Sequence, residues 1–260
     1  MDFFDEMTRV LTLDAAKRGV RCSQQIWREF FADKVRSTAQ KALLQEDFSG
    51  AEIAQKVDVL PEIVAEAMIQ PYECRELPAD WEPLRNMALN CRNCRLASGR
   101  TNVVFGEGAE NARLMFIGEG PGADEDATGR PFVGAAGQLL DKMIAAMHLK
   151  REEVYIANIV KCRPPGNRMP NDEEATACMG YLERQIQLIK PEVIVLLGGT
   201  AVHFLLNLDG ITRLRGRWHE YNNIPVMPTF HPAFLLRKPE AKREAWNDLK
   251  MVMAKLNIPI

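Results

Sequence analysis

The fold is decided by the stretch Leu114-Met115-Phe116-Ile117-Gly118-Glu119-Gly120-Pro121-Gly122. An apolar run that enters a glycine-rich turn is typical of a buried strand followed by a tight turn. Further apolar runs follow at 154–160, 193–197 and 224–227, and helical stretches lie at 137–149, 172–189, 201–206 and 240–256. Strands that alternate with helices predict a three-layer α/β/α domain with a mostly parallel central sheet.

Two regions of the 260-residue chain differ in charge and pattern. Residues 1–75 contain thirteen acidic and ten basic residues and show helical periodicity, which predicts a small helical N-terminal extension. Residues 76–260 contain the other twenty-two acidic and twenty-three basic residues and the α/β pattern. The net charge of −2 excludes a strongly basic protein that coats DNA without specificity, but it allows a local basic patch.

The sequence indicates a protein of the cytoplasm. No window of eighteen uninterrupted apolar residues is present and the first residues are acidic, so we expect neither a membrane span nor a signal peptide. Six cysteines are many for a reducing compartment, where clustered cysteines more often bind metal or take part in catalysis than form disulfides. Cys22 and Cys74 lack a close partner, and we interpret them as structural thiols.

The other four cysteines have a spacing that suits a metal site. Cys91 and Cys94 form a C-x2-C pair, and Cys162 and Cys178 follow at a distance. Four such thiolates suit either a tetrahedral zinc ion or an iron–sulfur cluster, and spacing alone does not choose between them. The alternative is that Cys162 and Cys178 are small buried hydrophobic residues and that the close pair is incidental.

Two candidate site residues, Asn158 and His231, lie near predicted strand ends, where sheets of this class bind ligands, and a third, Phe132, precedes a predicted helix. Asn158 ends an apolar strand, and its amide has the donors and acceptor needed to read a pyrimidine edge. Phe132 follows a proline and is either part of the core or a stacking platform for a flat ring. His231 follows the last short strand, and this loop position favours a catalytic role.

Apolar and basic residues on two loops suggest contacts with DNA. Leu235, Leu236 and Arg237 suit a wedge at an exposed loop tip, in which the leucines enter the base stack and the arginine meets a phosphate. Arg163 and Arg168 add positive charge on a neighbouring loop. For such cations the alternative is an ordinary solvated surface.

Six segments together resemble the iron–sulfur uracil-DNA glycosylases, the type 4 branch of the uracil-DNA glycosylase superfamily. They are the C-x2-C at 91–94, Gly-Glu-Gly-Pro-Gly at 118–122, Gly-Arg-Pro-Phe-Val-Gly at 129–134, Ala-Asn-Ile-Val-Lys-Cys-Arg-Pro-Pro at 157–165, Cys178, and Phe-His-Pro-Ala at 230–233. They stand in the order of the family and span about residues 84–256. Residues 1–75 lie outside the resemblance, which divides the chain into an extension of unknown role and a glycosylase domain at 76–260.

The resemblance implies a cofactor and a reaction. The cofactor is a [4Fe-4S] cluster bound by Cys91, Cys94, Cys162 and Cys178, which decides the metal question against zinc. The reaction is DNA repair, in which deoxyuridine is flipped out of DNA and its N-glycosidic bond is hydrolysed to free uracil and an abasic site. No lysine occupies the position of a lyase nucleophile, so we expect a monofunctional hydrolase.

The resemblance also assigns the groups that recognise the base. Phe132 stacks on uracil, and Asn158 hydrogen-bonds its O4 and N3 edge. Backbone groups of Gly118, Glu119 and Gly120 hold the other edge.

The same pattern assigns the groups that act on the bond. His231 also contacts uracil and stabilises the negative charge that grows on its O2 atom. Glu119 and Glu125 are two candidates for the carboxylate that orients the attacking water. Asn167, on the facing loop, is expected to help position Glu125.

Two functions of other kinds stay open at this point. One is an iron–sulfur protein that binds nucleic acid without glycosylase activity, and the other is a glycosylase for different deaminated bases such as hypoxanthine. We expect single- or double-stranded uracil-containing DNA as the partner, no membrane, and a monomer. For residues 1–75 the alternatives are a helical cap or tether and a docking module for a repair or replication partner.

Overall fold

Six strands form one sheet within residues 77–259, the part of the chain that the computed structural model describes. The helical extension expected at residues 1–75 lies outside this part. The strands are β1 (Glu107–Gly108), β2 (Leu114–Gly118), β3 (Tyr155–Asn158), β4 (Val193–Leu197), β5 (His219–Tyr221) and β6 (Ile224–Thr229). Their order is β1-β3-β2-β4-β6-β5. The four central strands run parallel, and the edge strands β1 and β5 are antiparallel to their neighbours.

Helices connect the strands. The α-helices of the described residues are α1 (Trp81–Leu89), α2 (Ala123–Thr128), α3 (Ala135–Ala146), α4 (Asp172–Ile189), α5 (Gly199–Leu206), α6 (Ile211–Leu214), α7 (Pro232–Arg237) and α8 (Lys242–Lys255). Short 3₁₀ helices lie at Arg95–Ser98, Arg151–Glu153, Pro165–Asn167 and Pro239–Ala241. Between residues 77 and 259, no helix has the length and apolar character that a membrane crossing requires.

The central strands are buried on both faces, and their residues alternate between two cores. Met115 and Ile117 of β2 belong to one core, which also contains residues of α1, α4 and α5. Leu114 and Phe116 belong to the other core, which contains residues of α3 and α8. Side chains alternate because successive residues of a strand point to opposite faces of the sheet. Two cores on opposite faces confirm the predicted α/β/α layers and the mostly parallel sheet.

The structure confirms the long elements and corrects two short ones. Helix α4 and strand β4 begin and end at the predicted residues. The segments that became α2 and α7 were interpreted as loops, and this interpretation is wrong. Each of these helices has six residues, which is too short for an apolar stripe to repeat along the sequence.

Candidate functional site

Three of the candidate residues meet where β2 and β3 end. The parallel register pairs Gly118 of β2 with Asn158 of β3. A Cβ atom on Gly118 would lie 2.5 Å from Asn158 Oδ1 and 2.6 Å from Phe132 Cζ. Glycine is therefore required at position 118, because any side chain there would overlap the amide and the aromatic ring.

The side chain of Asn158 has an unused acceptor. Asn158 is 1% exposed, and its Oδ1 atom is buried with no hydrogen-bond partner among the described residues. An acceptor buried in this way costs roughly 1–3 kcal/mol relative to one that is hydrogen-bonded. The Oδ1 atom lies beside Gly118 and the Phe132 ring, so this acceptor is available to a ligand that carries an N–H donor.

Phe132 is held in a backbone conformation that side chains rarely adopt. Its φ of 51° lies in the left-handed region. Arg151 Nη1 donates a hydrogen bond to the carbonyl oxygen of Phe132 at 3.3 Å, and a Cβ atom on Gly137 would lie 1.9 Å from that oxygen. Close packing of this kind is what keeps a strained residue in place. The Phe132 ring consequently stays 5.6 Å from the ring of His231, centroid to centroid.

The carboxylate of Glu125 joins the turn after β2 to the segment that follows Phe132. Its Oε2 accepts from Gly122 N at 3.0 Å, and its Oε1 accepts from Val133 N at 2.9 Å and from Gly134 N at 3.0 Å. Three backbone donors on one carboxylate fix both segments around the pocket. Contact between Glu125 and the attacking water stays a prediction.

The carboxylate of Glu119 is held by a residue of helix α5. Thr200, in the first turn of α5, donates from Oγ1 to Glu119 Oε2 at 2.5 Å. Among residues 77–259 the Glu119 carboxylate accepts no second hydrogen bond, so its other lone pairs remain available for water. The sequence analysis missed Thr200, because a threonine in a glycine-rich turn has no distinctive pattern and its partner is 81 residues away.

His231 is a neutral hydrogen-bond donor in this structure. It caps α7, and its Nδ1 accepts a hydrogen bond from Ala233 N at 3.1 Å. Burial lowers the pKa of His231 to about 4; Arg237 acts in the same direction and Glu125 in the opposite one. A neutral imidazole whose Nδ1 is an acceptor carries its proton on Nε2. The side chain therefore offers an Nε2–H to a ligand at neutral pH.

A hydrogen-bonded network supports the strand that ends before His231. Asp248 Oδ2 accepts from Thr229 Oγ1 at 2.6 Å and from Arg215 Nε at 3.0 Å. Thr229 and Asp248 are both almost fully buried. Burial raises the pKa of Asp248, whereas the hydrogen bonds from Thr229 and Arg215 lower it. The network fixes the end of β6 and so positions the following segment, which contains His231.

Asn167 and Arg168 have partners that differ from the predicted ones. Asn167 Oδ1 accepts from Arg163 Nε at 2.8 Å, and the described hydrogen bonds of Glu125 do not include Asn167. Arg168 donates to both carboxylate oxygens of Glu174 at 2.8 and 2.6 Å, which lowers the pKa of Glu174 to about 2. Arg168 thereby anchors its loop to the first turn of α4, and its side chain stays 41% exposed.

The expected loop tip at Leu235 and Leu236 is corrected by the structure. Both residues lie in α7, and Leu235 is 1% exposed because it packs against Ala241 and Ala245. Leu236 is 43% exposed. Adjacent residues of a helix point about 100° apart, so only one of the two can face outward. Leu236 is the one of the two that faces solvent, and the exposed Arg237 follows it.

The four cysteines predicted to bind metal line one small cavity that is partly open to solvent. They are Cys91, Cys94, Cys162 and Cys178, and none of the four forms a disulfide. Among residues 77–259, no group of three or more His, Cys, Asp or Glu side chains is arranged to hold a single metal ion.

Two hydrogen-bond donors act on the sulfur atoms in this cavity. Arg100 Nη1 donates to Cys162 Sγ, and Lys161 N donates to Cys178 Sγ, both at 3.2 Å. Burial raises the pKa of Cys162 and raises that of Cys178 to about 12, while Arg100 and Lys161 act in the opposite direction. Burial also lowers the pKa of Lys161 to about 8, against the opposing effect of the two thiolates. The donors favour the thiolate form that metals bind.

The family comparison and the comparison with single proteins both find uracil-DNA glycosylases. The family model described as uracil DNA glycosylase superfamily matches residues 105–250, which include all six strands. The chain is 51% identical over 152 residues to a type-4 uracil-DNA glycosylase from Thermotoga maritima, with 56% of this chain and 78% of the relative covered. It is 44% identical over 181 residues to a type-4 uracil-DNA glycosylase from Sulfurisphaera tokodaii, with 66% of this chain and 82% of the relative covered.

The protonation of His231 can be tested directly. We expect His231 to stay neutral, with the proton on Nε2, until the pH falls to about 4, because burial penalises the charged ring. NMR titration of ¹⁵N-labelled histidine measures both the midpoint and the tautomer, and loss of one signal set in His231→Gln provides the assignment. A midpoint near the ordinary value of 6.5, or a proton on Nδ1, would contradict the structure.

Proposed function

Because the chain belongs to the uracil-DNA glycosylase superfamily, we propose that it is a type-4 uracil-DNA glycosylase of DNA repair. It hydrolyses the N-glycosidic bond of deoxyuridine. The bond breaks with its electron pair on uracil, and water adds its oxygen to the sugar carbon. The products are free uracil and an otherwise intact strand with an abasic site.

The buried acceptor of Asn158 is the observation that carries this function. Uracil has an N3–H donor beside its O4 acceptor, whereas cytosine has an unprotonated N3 beside an amino group. Asn158 Oδ1, which lacks a partner in the described residues, fits the N3–H of uracil, and the amide nitrogen fits O4. Cytosine would face the same amide with its donors and acceptors reversed. Phe132 provides the surface on which the flipped ring stacks.

The stretching of the N-glycosidic bond develops negative charge on uracil, and His231 stabilises it. Its neutral ring offers the Nε2–H to uracil O2, while Ala233 N holds the opposite nitrogen. A preplaced donor of this kind is worth about 10²–10³ in rate, because it needs no reorganisation as charge develops. The backbone of Gly118, Glu119 and Gly120 is proposed to hold the same edge of the base.

We assign the attacking water to Glu119 and the shaping of the pocket mainly to Glu125. The Glu119 carboxylate is fixed by Thr200 and retains lone pairs, whereas the Glu125 carboxylate accepts three backbone hydrogen bonds. A fixed carboxylate orients water and balances the positive charge on the sugar in the transition state. Asn167 has an indirect role in this proposal, because its hydrogen bond with Arg163 holds the loop after β3 in place.

Contacts with DNA are proposed on two sides of the pocket. Leu236 enters the base stack from α7, and the adjacent Arg237 meets a phosphate. Arg163 and the exposed part of Arg168 add positive charge on the loop after β3.

The four cysteines line one cavity and form a donor set that a [4Fe-4S] cluster takes, and the similarity of the chain to type-4 enzymes favours the cluster over a zinc ion. In a four-iron cluster each cysteine binds a different iron, so the sulfur atoms stand farther apart than around one ion. Cys91 and Cys94 before β1, Cys162 after β3 and Cys178 in α4 would hold the cluster, which would cross-link these three segments. Hydrogen bonds from Arg100 and from the Lys161 backbone would hold two of its thiolates.

Other expectations stay predictions. They are the cytoplasmic location, the monomeric state, and a partner-docking role for residues 1–75. The amide of Asn158 does not distinguish hypoxanthine from uracil, because the N1–H and O6 of that purine have the same polarity as N3–H and O4. The larger ring system of hypoxanthine is what disfavours a glycosylase for that base.

Uracil release from a single-uracil oligonucleotide tests the function. We expect wild type to release uracil in preference to hypoxanthine, and His231→Ala to lower kcat by about 10²–10³-fold through loss of the donor to O2. Asn158→Ala should lower kcat/KM for uracil. His148→Ala, at an exposed histidine, is the control and should match wild type. Equal and negligible release by wild type and both site variants, with the cysteine site filled, would exclude a glycosylase.

The roles of Glu119 and Thr200 are tested by a matched pair of substitutions. Thr200→Val removes the hydroxyl that holds Glu119 and should lower kcat about ten- to hundredfold with little change in KM, since water would be misplaced. Thr200→Ser keeps the hydroxyl and should stay near wild type. Single-turnover kinetics measure both. If Thr200→Val turned over at the wild-type rate while Glu119→Gln did not, the hydroxyl would have no positioning role.

The nature of the bound metal is tested by iron and sulfide analysis of protein purified without oxygen. We expect iron, acid-labile sulfide and a brown colour. Cys178→Ser should lower the iron content and the melting temperature, because a structural metal site contributes to folding. Cys22→Ser, outside the proposed site, is the control. A colourless protein that contains stoichiometric zinc would contradict the assignment.

A further inference from the structure

Lys161 is an almost fully buried cation between the base pocket and the cysteine cavity. Its side chain is 2% exposed. The Nζ atom donates to the carbonyl oxygen of Asn158 at 3.0 Å and to Gln185 Oε1 at 2.7 Å. Gln185 cannot turn its oxygen away, because its Nε2 donates to Phe105 O at 2.9 Å and to Tyr155 Oη at 3.1 Å. The ammonium group is thus fixed between neutral oxygen atoms.

No carboxylate balances this charge among the ion pairs of residues 77–259. Lys161 lines the same cavity as the four cysteines, and its backbone nitrogen donates to Cys178 Sγ at 3.2 Å. A buried cation without a counter-ion is costly, so the negative charge is expected from the cavity that these cysteines line. Four thiolates outweigh the positive charge of an iron–sulfur core, so the filled site is an anion.

The same ammonium group positions the residue that reads the base. It holds the carbonyl of Asn158, whose side chain supplies the unused acceptor of the pocket. We propose that Lys161 is the internal counter-ion of the filled cysteine site and the positioning residue of Asn158, so that cluster binding and uracil recognition are energetically coupled. This inference rests on the proposed function and adds a pair of linked sites to it.

Lys161→Met tests the coupling, because methionine has a similar length but no charge and no donor. With the cation removed, the reduced and more negative cluster is less stabilised, so its midpoint potential should shift to a more negative value. In the same variant kcat/KM for uracil release should fall about tenfold, the size expected for one lost hydrogen bond from a charged donor. Lys142→Met, at an exposed lysine of α3, is the control and should change neither quantity.

The Gln185→Glu variant changes the charge next to Lys161 without removing the lysine, so it separates the electrostatic effect on the cluster from the positioning of Asn158. Its result does not depend on whether Lys161→Met folds. A carboxylate at this position gives Lys161 a counter-ion of its own and retains the bond from Lys161 to Asn158, while it removes the hydrogen bonds that Gln185 Nε2 donates to Phe105 O and Tyr155 Oη. The midpoint potential should again become more negative, whereas kcat/KM should stay within about threefold of wild type, because the hydrogen bond that positions Asn158 is kept. If Lys161→Met is purified without its cluster, the potential of Gln185→Glu decides the question.

The outcomes separate the inference from the function on which it rests. A wild-type protein without iron or without uracil release overturns the proposed function and the coupling together. When wild type shows both, the coupling alone is overturned if Gln185→Glu keeps the wild-type potential. It is equally overturned if Lys161→Met keeps its cluster with either the potential or kcat/KM unchanged.

Discussion

The parallel pairing of β2 with β3, with Gly118 opposite Asn158, is the constraint on which the site depends. Both strands are buried on both faces, so neither can shift without moving its side chains into the wrong core. A shift of one residue would place the apolar side chain of Ala157 or Ile159 where the amide now lies. The register therefore fixes the recognition group as firmly as it fixes the hydrophobic core.

The pocket retains two features that lower the stability of the fold. The φ of Phe132 costs of order 1–3 kcal/mol, and the unpaired Oδ1 of Asn158 costs a similar amount. Rigid surroundings oppose both costs, because the Glu125 carboxylate fixes the segments on either side of Phe132. A base that supplies an N–H donor and a flat ring removes the second cost on binding, whereas a mismatched base leaves it in place. In this proposal, selectivity for uracil therefore comes from the hydrogen bond between the base and Asn158 Oδ1, an atom that has no partner among the described residues of the free protein.

The sequence was sufficient for the architecture and for the residue types at the site, and insufficient for contacts between distant residues. Strand β4 and helix α4 were predicted correctly because their apolar patterns are long enough to show a period. Leu235 was misplaced because a six-residue helix has no such period, and the hydroxyl of Thr200 was missed because its partner is 81 residues away. The unused acceptor of Asn158 could be expected from a polar residue at the end of an apolar strand. The hydrogen bond from Lys161 Nζ to the backbone carbonyl of Asn158 depends on a lysine rotamer that no spacing reveals.

Lys161 lies in the short segment that connects the cysteine site to the pocket residue Asn158. Only three residues separate Asn158 from Cys162, and the segment is buried throughout. Its backbone is fixed at both ends, by Ile159 N on Gly118 O at 3.0 Å and by Lys161 N on Cys178 Sγ at 3.2 Å. A cluster bound here needs no part in bond hydrolysis to influence it. The charge of the proposed cluster would stabilise the ammonium group that holds the Asn158 carbonyl, and in this way a structural cofactor would affect base selection through electrostatics alone.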